Sequence, residues 1–374
     1  MNPAHPLLLV SAVLCSTLTA TAQRTFEALR QELQRERREA SQKGPLSLEQ
    51  QKEVLAKQAA TVAQWLEKEA KDLDRYNGRL FLVDLCFGMR EPEQAKQALL
   101  ALDAKDAPPH VLTRAAMFAG RLQLTEQRQA WIDAAVAKAT DFELQVAVAR
   151  DLCTLLQEQE RAEKVFAAAL AAAGDDEQKA KVLWAKAMVT RDREDVEEEA
   201  YWQALDDLVK RLPKSRFGQI AADRLRAKDF KPGSDPLPLA AQDLEGKTIQ
   251  LADYAGKVLI LEFWASWNPP SLVLGKRLAA LVEQHKGAGL EILGVALDHD
   301  RQAMRQALGA RSWRQVCDGG GMETELVLRW NVGQVPCLFV IGKDGKLAAV
   351  QAAPMDQDSW KEFAATVAKA IQAK

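Results

Sequence analysis

The stretch Val258-Leu-Ile-Leu-Glu262-Phe263-Trp264-Ala265-Ser266-Trp267-Asn268-Pro269-Pro270-Ser271 decides how the C-terminal third of this chain is read. Its first seven residues form a short, nearly continuous apolar run, as expected for a strand covered on both faces. Asn268 and Pro269 then open a helix. Asn is a favoured N-cap because its side-chain oxygen accepts from an otherwise orphan amide, and Pro at the next position has no N–H to lose. That helix is expected over Asn268 to Lys286, and Leu290 to Leu297 reads as a second buried strand. Strand, helix, strand in this order place a parallel pair with a right-handed crossover.

Working outward, Arg301 to Leu308 and Glu325 to Trp330 read as further helices. Cys337 to Gly342 and Leu347 to Gln351 read as strands joined at Lys343-Asp344-Gly345-Lys346, where Asp-Gly is a strong hairpin signal. Asp358 to Ala373 closes the chain as a helix. Upstream, Lys228 to Leu239 holds three prolines and a glycine, so 229–240 is read as a linker and 241–374 as the α/β domain.

Residues 47–228 carry almost no strand signal and are rich in Ala, Leu, Gln and Glu, which points to an array of stacked helices. A motif of small and apolar residues recurs at Ala95, Leu99, Leu102; at Ala130, Ala134, Ala137; at Ala162, Phe166, Ala169; and loosely at Ala200, Ala204, Leu208. The intervals resemble those of the tetratricopeptide family, although that family's first-helix Gly would fall at Arg150. The resemblance implies an α-solenoid serving as a protein-binding groove or as a scaffold. Residues 23–46 form a charge-dense helical arm with Phe26, Leu29 and Leu33 on one face, ended by Gly44-Pro45. Ser47 and Gln50 then have capping-box spacing and open a second helix, expected to run through Trp65 and Leu73.

Residues 1–22 contain no charged side chain; the weakly polar to apolar run Leu7 to Leu18 precedes Ala20-Thr21-Ala22, small residues of the kind a signal peptidase reads. The chain is therefore expected to be exported, to a periplasmic or other extracytoplasmic space, with cleavage after Ala22. The run is shorter than the roughly 20 apolar residues that span a bilayer, and no later stretch is long enough either. Lys plus Arg is 50 against 52 for Asp plus Glu, a net charge of −2, which gives no reason to expect nucleic acid as a partner. The cysteines Cys86, Cys153, Cys317 and Cys337 that follow the signal, and the histidines at 5, 110, 285 and 299, show no metal-ligand spacing; no metal or cofactor is expected.

The residues from Leu251 to Ser271, with Gly256-Lys257 before the strand and Trp267-Asn268-Pro269-Pro270-Ser271 after it, resemble the exported thioredoxin-like proteins of the TlpA and ResA type, within the broader AhpC/TSA-thioredoxin superfamily. Val335-Pro336 before an apolar strand is similar to that family's cis-proline segment. The resemblance implies a thioredoxin-like domain, a central mixed sheet flanked by helices, and thiol-disulfide exchange. The sequence departs from it at the decisive place: the two cysteines of the family's Trp-Cys-Pro-Pro-Cys motif are replaced by Asn268 and Ser271. An amide cannot ionise to a nucleophile, and a hydroxyl does not exchange with sulfur, so the usual dithiol route is excluded. Trp267 and Pro336 keep their accessory places, and Glu262 stands where the family holds a buried acid that moves protons for the second cysteine.

Two functions follow from the resemblance. The first is a non-catalytic module that binds protein or peptide in the groove beside Pro336 and the motif helix, or on the helical array. The second is a thiol-disulfide oxidoreductase or peroxidase that relocates its sulfur chemistry to Cys337, which directly follows the cis-proline, alone or with Cys317 before Gly319-Gly320-Gly321. No peroxiredoxin Pro-x3-Thr-x2-Cys motif is present.

Overall fold

The computed structural model describes residues 24–41, 44–68, 70–193 and 195–373; the expected signal segment, 1–22, lies outside them. Its N-terminal part is helical throughout. The helices are α1 (Phe26–Ser41), α2 (Leu48–Lys68), α3 (Asp72–Gly88), α4 (Pro92–Leu100), α5 (Pro109–Arg121), α6 (Thr125–Lys138), α7 (Phe142–Thr154), α8 (Gln159–Ala172), α9 (Asp176–Arg191), α10 (Glu198–Arg211) and α11 (Arg216–Lys228). The capping box at the start of α2 forms in both directions: the Ser47 amide donates to Gln50 Oε1 at 2.9 Å and the Gln50 amide to Ser47 Oγ at 3.2 Å. This helix stops at Lys68 rather than reaching Leu73, and the chain restarts at Asp72, whose φ of +47° a short polar side chain tolerates.

The small-residue motif faces inward in part. Ala95, Leu99, Leu102, Ala162, Phe166 and Ala169 are buried, but in α6 the buried face is Trp131, Ile132 and Ala135, while Ala130 and Ala137 are exposed. Alanine is the strongest helix former and sits equally well on a wet face, so its spacing alone does not mark the packed side.

The chain divides into two compact units, Met1–Val165 and Phe166–Lys374. The second unit holds α9 to α11 together with the sheet domain. That domain comprises β1 (Ala240–Gln242), β2 (Thr248–Gln250), β3 (Val258–Trp264), α12 (Pro269–Gln284), β4 (Leu290–Ala296), α13 (Arg301–Gln306), β5 (Arg314–Val316), α14 (Glu325–Arg329), β6 (Cys337–Ile341), β7 (Leu347–Ala352) and α15 (Gln357–Gln372). The main sheet has the order β5-β4-β3-β6-β7, with β3, β4 and β5 mutually parallel and β6 antiparallel to both of its neighbours, β3 and β7. The strands β1 and β2 form a separate antiparallel hairpin.

Alternation along β3 explains its continuous apolarity. Leu259, Leu261 and Phe263 enter one core with Leu293, Val295, Phe339 and Trp330, while Val258 and Ile260 enter the other with Leu274 and Leu278 of α12 and Phe363 and Val367 of α15. The Pro-rich segment contributes Leu237 and Leu239 to the first core, and Phe230 packs edge-on against Trp330. Helix α11 is fastened to α14: Arg216 Nε donates to Glu325 at 3.0 Å, Arg329 pairs with Asp223, and the buried Arg224 donates to the Leu328 carbonyl at 3.1 Å.

Candidate functional site

The site begins with the turn between β3 and α12. Ser266 closes it: its amide donates to Asp298 Oδ2 at 3.0 Å, and its hydroxyl makes a short bond to the same buried carboxylate. The chain then enters α12 with Asn268 as N-cap and the prolines in the first two helical positions. Neither proline has an N–H, so the first free amide of the helix belongs to Ser271. It donates to Asn268 Oδ1 at 2.9 Å, and the Ser271 hydroxyl donates to the same oxygen at 3.0 Å. The Ser271 hydroxyl in turn accepts from the Ala265 amide at 3.4 Å, and Ser271 is fully buried. An amide oxygen with two donors at a helix N-cap is a satisfied cap; it carries no charge and is no nucleophile toward a disulfide.

Beneath this cap lies Glu262, which is 0% exposed. Its carboxylate is gripped by Arg311, with Nη2 to Oε1 at 2.8 Å and Nε at 3.2 Å from both oxygens, and it accepts from Trp313 Nε1 at 3.2 Å. Arg311 Nη2 also donates to the Ser271 carbonyl at 2.6 Å, and its guanidinium carbon stands 3.8 Å from the centre of the Trp264 ring. It passes against α12 at Gly275, where a Cβ would come within 2.4 Å of the guanidinium carbon. Glycine is therefore required there by close approach. Burial pushes the Glu262 carboxyl above its ordinary range, and the Arg311 charge opposes that push.

On the outside of the cap the surface is apolar. Trp267 is 60% exposed and Val273 48%, with Pro269 and Pro270 exposed between them; the Trp267 indole N–H donates to the Leu297 carbonyl at 3.4 Å. Pro336 follows a cis peptide bond and is buried.

This topology, the helix start at 268–271 and the cis-proline before β6 coincide with a family model. A model described as "Thioredoxin-like" matches residues 256–347. The C-terminal domain is thioredoxin-like. Among curated proteins, the thiol-disulfide oxidoreductase ResA of Bacillus cereus (strain ZK / E33L) is 30% identical over 117 residues, which cover 31% of this chain and 66% of that protein. Probable nucleoredoxin 2 of Oryza sativa subsp. japonica is 31% identical over 119 residues, covering 31% of this chain and 30% of that one. The chain thus spans just under two thirds of the length of the first and less than a third of the second. Among solved structures, a thiol-disulfide oxidoreductase from Bacteroides fragilis NCTC 9343 is 24% identical, with a TM-score of 0.31, covering 36% of this chain and 96% of that one.

Within the thioredoxin-like domain the two candidate sulfurs stay apart. Cys337 pairs in register with Phe263, Phe263 with Val295, and Val295 with Val316, the residue before Cys317. Three strand spacings separate them, about 14 Å, whereas a disulfide needs Cα atoms within roughly 7 Å. They also enter different cores: Cys337 packs with Phe263 and Phe339, and Cys317 with Trp264, Ala296 and Met304. Both are buried free thiols. Cys317 Sγ lies 3.4 Å from the Asp298 carbonyl, and burial raises its pKa. Burial pushes the Cys337 thiol up to about 12. At pH 8 its thiolate fraction is then about one part in ten thousand, against roughly a quarter for an ordinary cysteine. Labelling of the native protein with a water-soluble disulfide reagent at pH 8 is accordingly expected to leave Cys317 and Cys337 unmodified, and both to react once urea unfolds the chain. A fast native-state reaction lost in Cys337→Ala would contradict this placement.

Among the described residues no group of three or more His, Cys, Asp and Glu side chains is placed to hold a metal ion. Sequence reading did not single out Arg311 or Trp313, and it took Asp298-His299-Asp300 for a solvated loop, whereas Asp298 is buried. Nothing local distinguishes Arg311 from a surface arginine: its partner is 49 residues away.

Proposed function

We propose that the thioredoxin-like domain is a binding module that holds extended polypeptide on the face formed by Trp267, Pro269, Pro270 and Val273, without exchanging disulfides with it. The observation that carries this reading is the closed cap, in which the amide oxygen of Asn268 takes both donors of Ser271 at 2.9 and 3.0 Å where a thiolate would be needed. The ion pair of Glu262 with Arg311 supports it, because a carboxylate held by a guanidinium is poorly suited to carry protons to and from a sulfur. The ResA relatives are named thiol-disulfide oxidoreductases; in this chain that chemistry would have to run through Cys317 and Cys337, and their separation and raised pKa values argue against it.

Protein or peptide is the expected partner class, with the helical region as a scaffold or second binding surface, tetratricopeptide-like in its repeat spacing, and export as the expected fate. No described helix is long and apolar enough to cross a membrane.

A fluorescein-labelled, cysteine-free extended peptide of apolar residues tests the module. Saturable binding is expected, weakened about 30-fold by Trp267→Ala, since a truncated aromatic anchor typically costs about 2 kcal/mol. In a disulfide-reduction assay the unmodified chain is expected to run at background. Turnover well above background that Cys337→Ala abolishes would sink the reading.

A further inference from the structure

Away from the cap, the second unit buries a charge without a counter-charge. Arg224 of α11 is 2% exposed and lies against the apolar cluster built from Trp184 of α9, Tyr201, Trp202 and Leu205 of α10 and Ile220 of α11. The two other arginines that join α11 to α14 are paired, Arg216 with Glu325 and Arg329 with Asp223 and Glu325. Arg224 is not. Its Nη1 donates to the Leu328 carbonyl at 3.1 Å, and among the described residues no carboxylate stands within ion-pairing distance of it. Asp192, the acid whose charge reaches it, is bound to Arg191 at 2.8 Å. Buried charges are ordinarily paired, because an uncompensated one is strongly destabilising.

Two donors at this place have no acceptor. The Nε–H of Arg224 and the hydroxyl of Tyr201, itself 2% exposed, each lack a hydrogen-bond partner. Their side chains face each other: burial lowers the Arg224 pKa, and the Tyr201 hydroxyl opposes that push. The guanidinium carbon stands 5.7 Å from the centre of the Tyr201 ring and 5.9 Å from that of Trp184, against 3.8 Å for Arg311 on Trp264. The two rings flank the guanidinium without closing on it. A buried tyrosine hydroxyl usually finds a partner, and orphaned buried polar atoms are few in folded proteins. A pair of them beside an unpaired cation calls for an acceptor that carries negative charge.

We propose that Arg224 Nε and the Tyr201 hydroxyl bind a small monovalent anion, of the size and charge of chloride, at the junction of α9, α10 and α11. The anion accepts from both donors and balances the guanidinium. Water accepting the same two hydrogen bonds would leave the buried charge unbalanced. Because Arg224 also holds the Leu328 carbonyl, the bound anion secures the seat of α14 on α11.

Thermal unfolding of the full chain, with sodium chloride replacing sodium methanesulfonate at constant ionic strength, tests this. A saturable rise of the midpoint is expected. At a chloride concentration ten times its dissociation constant the unfolding equilibrium constant falls about elevenfold, a shift of roughly 3–6 °C for a unit of about 200 residues. Tyr201→Phe, which keeps the ring and removes one donor, is expected to weaken the apparent chloride affinity about tenfold. Arg224→Met is expected to abolish the chloride dependence. Crystals of the unmodified chain grown in bromide give a readout that needs no variant: an anomalous diffraction peak beside Arg224 Nε is expected. Equal midpoints in the two salts, or a chloride dependence that survives Arg224→Met, overturns the proposal. So does a bromide crystal with water between the two donors and bromide only on the surface, an adventitious ion only.

Discussion

Asn268→Cys combined with Ser271→Cys is expected to endow the domain with disulfide-attacking activity that the unmodified chain lacks. The cap already supplies what a thiolate needs. The amide at position 271 lies 2.9 Å from the N-cap acceptor, and the side chain at 271 donates to it at 3.0 Å. Hydrogen bonds to a charged acceptor contribute about 1.5–3 kcal/mol, enough to lower a thiol pKa by one to two units. Single-turnover reaction of the double variant with an aromatic disulfide at pH 7 is expected to exceed that of the unmodified chain at least a hundredfold. Repeated turnover should lag behind the first attack, because Glu262, the buried acid beneath the cap, is bound to Arg311 and so is not free to exchange protons with a second sulfur. A double variant that folds and forms no mixed disulfide would show that the cap geometry is not thiolate-competent.

Arg311→Met is expected to destabilise the thioredoxin-like domain by about 3–5 kcal/mol, the usual cost of stripping one partner from a buried ion pair. It would leave Glu262 charged and uncompensated at 0% exposure. Adding Glu262→Leu should return most of the loss, since replacing both partners with apolar groups removes the stranded charge. The sign with pH follows from the carboxyl being pushed up by burial, a push that grows when the counter-charge is removed. The folded single variant then holds its proton more tightly than the unfolded chain. Its deficit is full above the folded-state pKa and shrinks as pH falls from there toward the ordinary carboxylate range. Urea unfolding of the three proteins at pH 7 and pH 5 measures this, and an unchanged midpoint in Arg311→Met would contradict the pairing.

What could be read from the sequence was what is encoded locally. The strand β3 announced itself by seven apolar-dominated residues, the start of α12 by Asn268-Pro269, and the β6–β7 hairpin by Asp344-Gly345. The three-residue strands β1, β2 and β5 went unread, being too short to show a period. The Ala motif in α6 pointed to the wrong side because alanine does not discriminate core from surface. At the site, the helix start at Asn268 to Ser271 was legible residue by residue, and Glu262 was marked by the family resemblance. Its partner was not: Arg311 reaches Glu262 across 49 residues of chain, and only the fold brings them together.

The seating of Arg311 against Gly275 stands in the way of building disulfide exchange onto this helix start. A variant given cysteines at 268 and 271 would still carry a guanidinium clamped on Glu262. One that first discarded the guanidinium would pass through an intermediate several kcal/mol less stable. The order of changes matters, because removing the guanidinium first is penalised before any combination is rewarded.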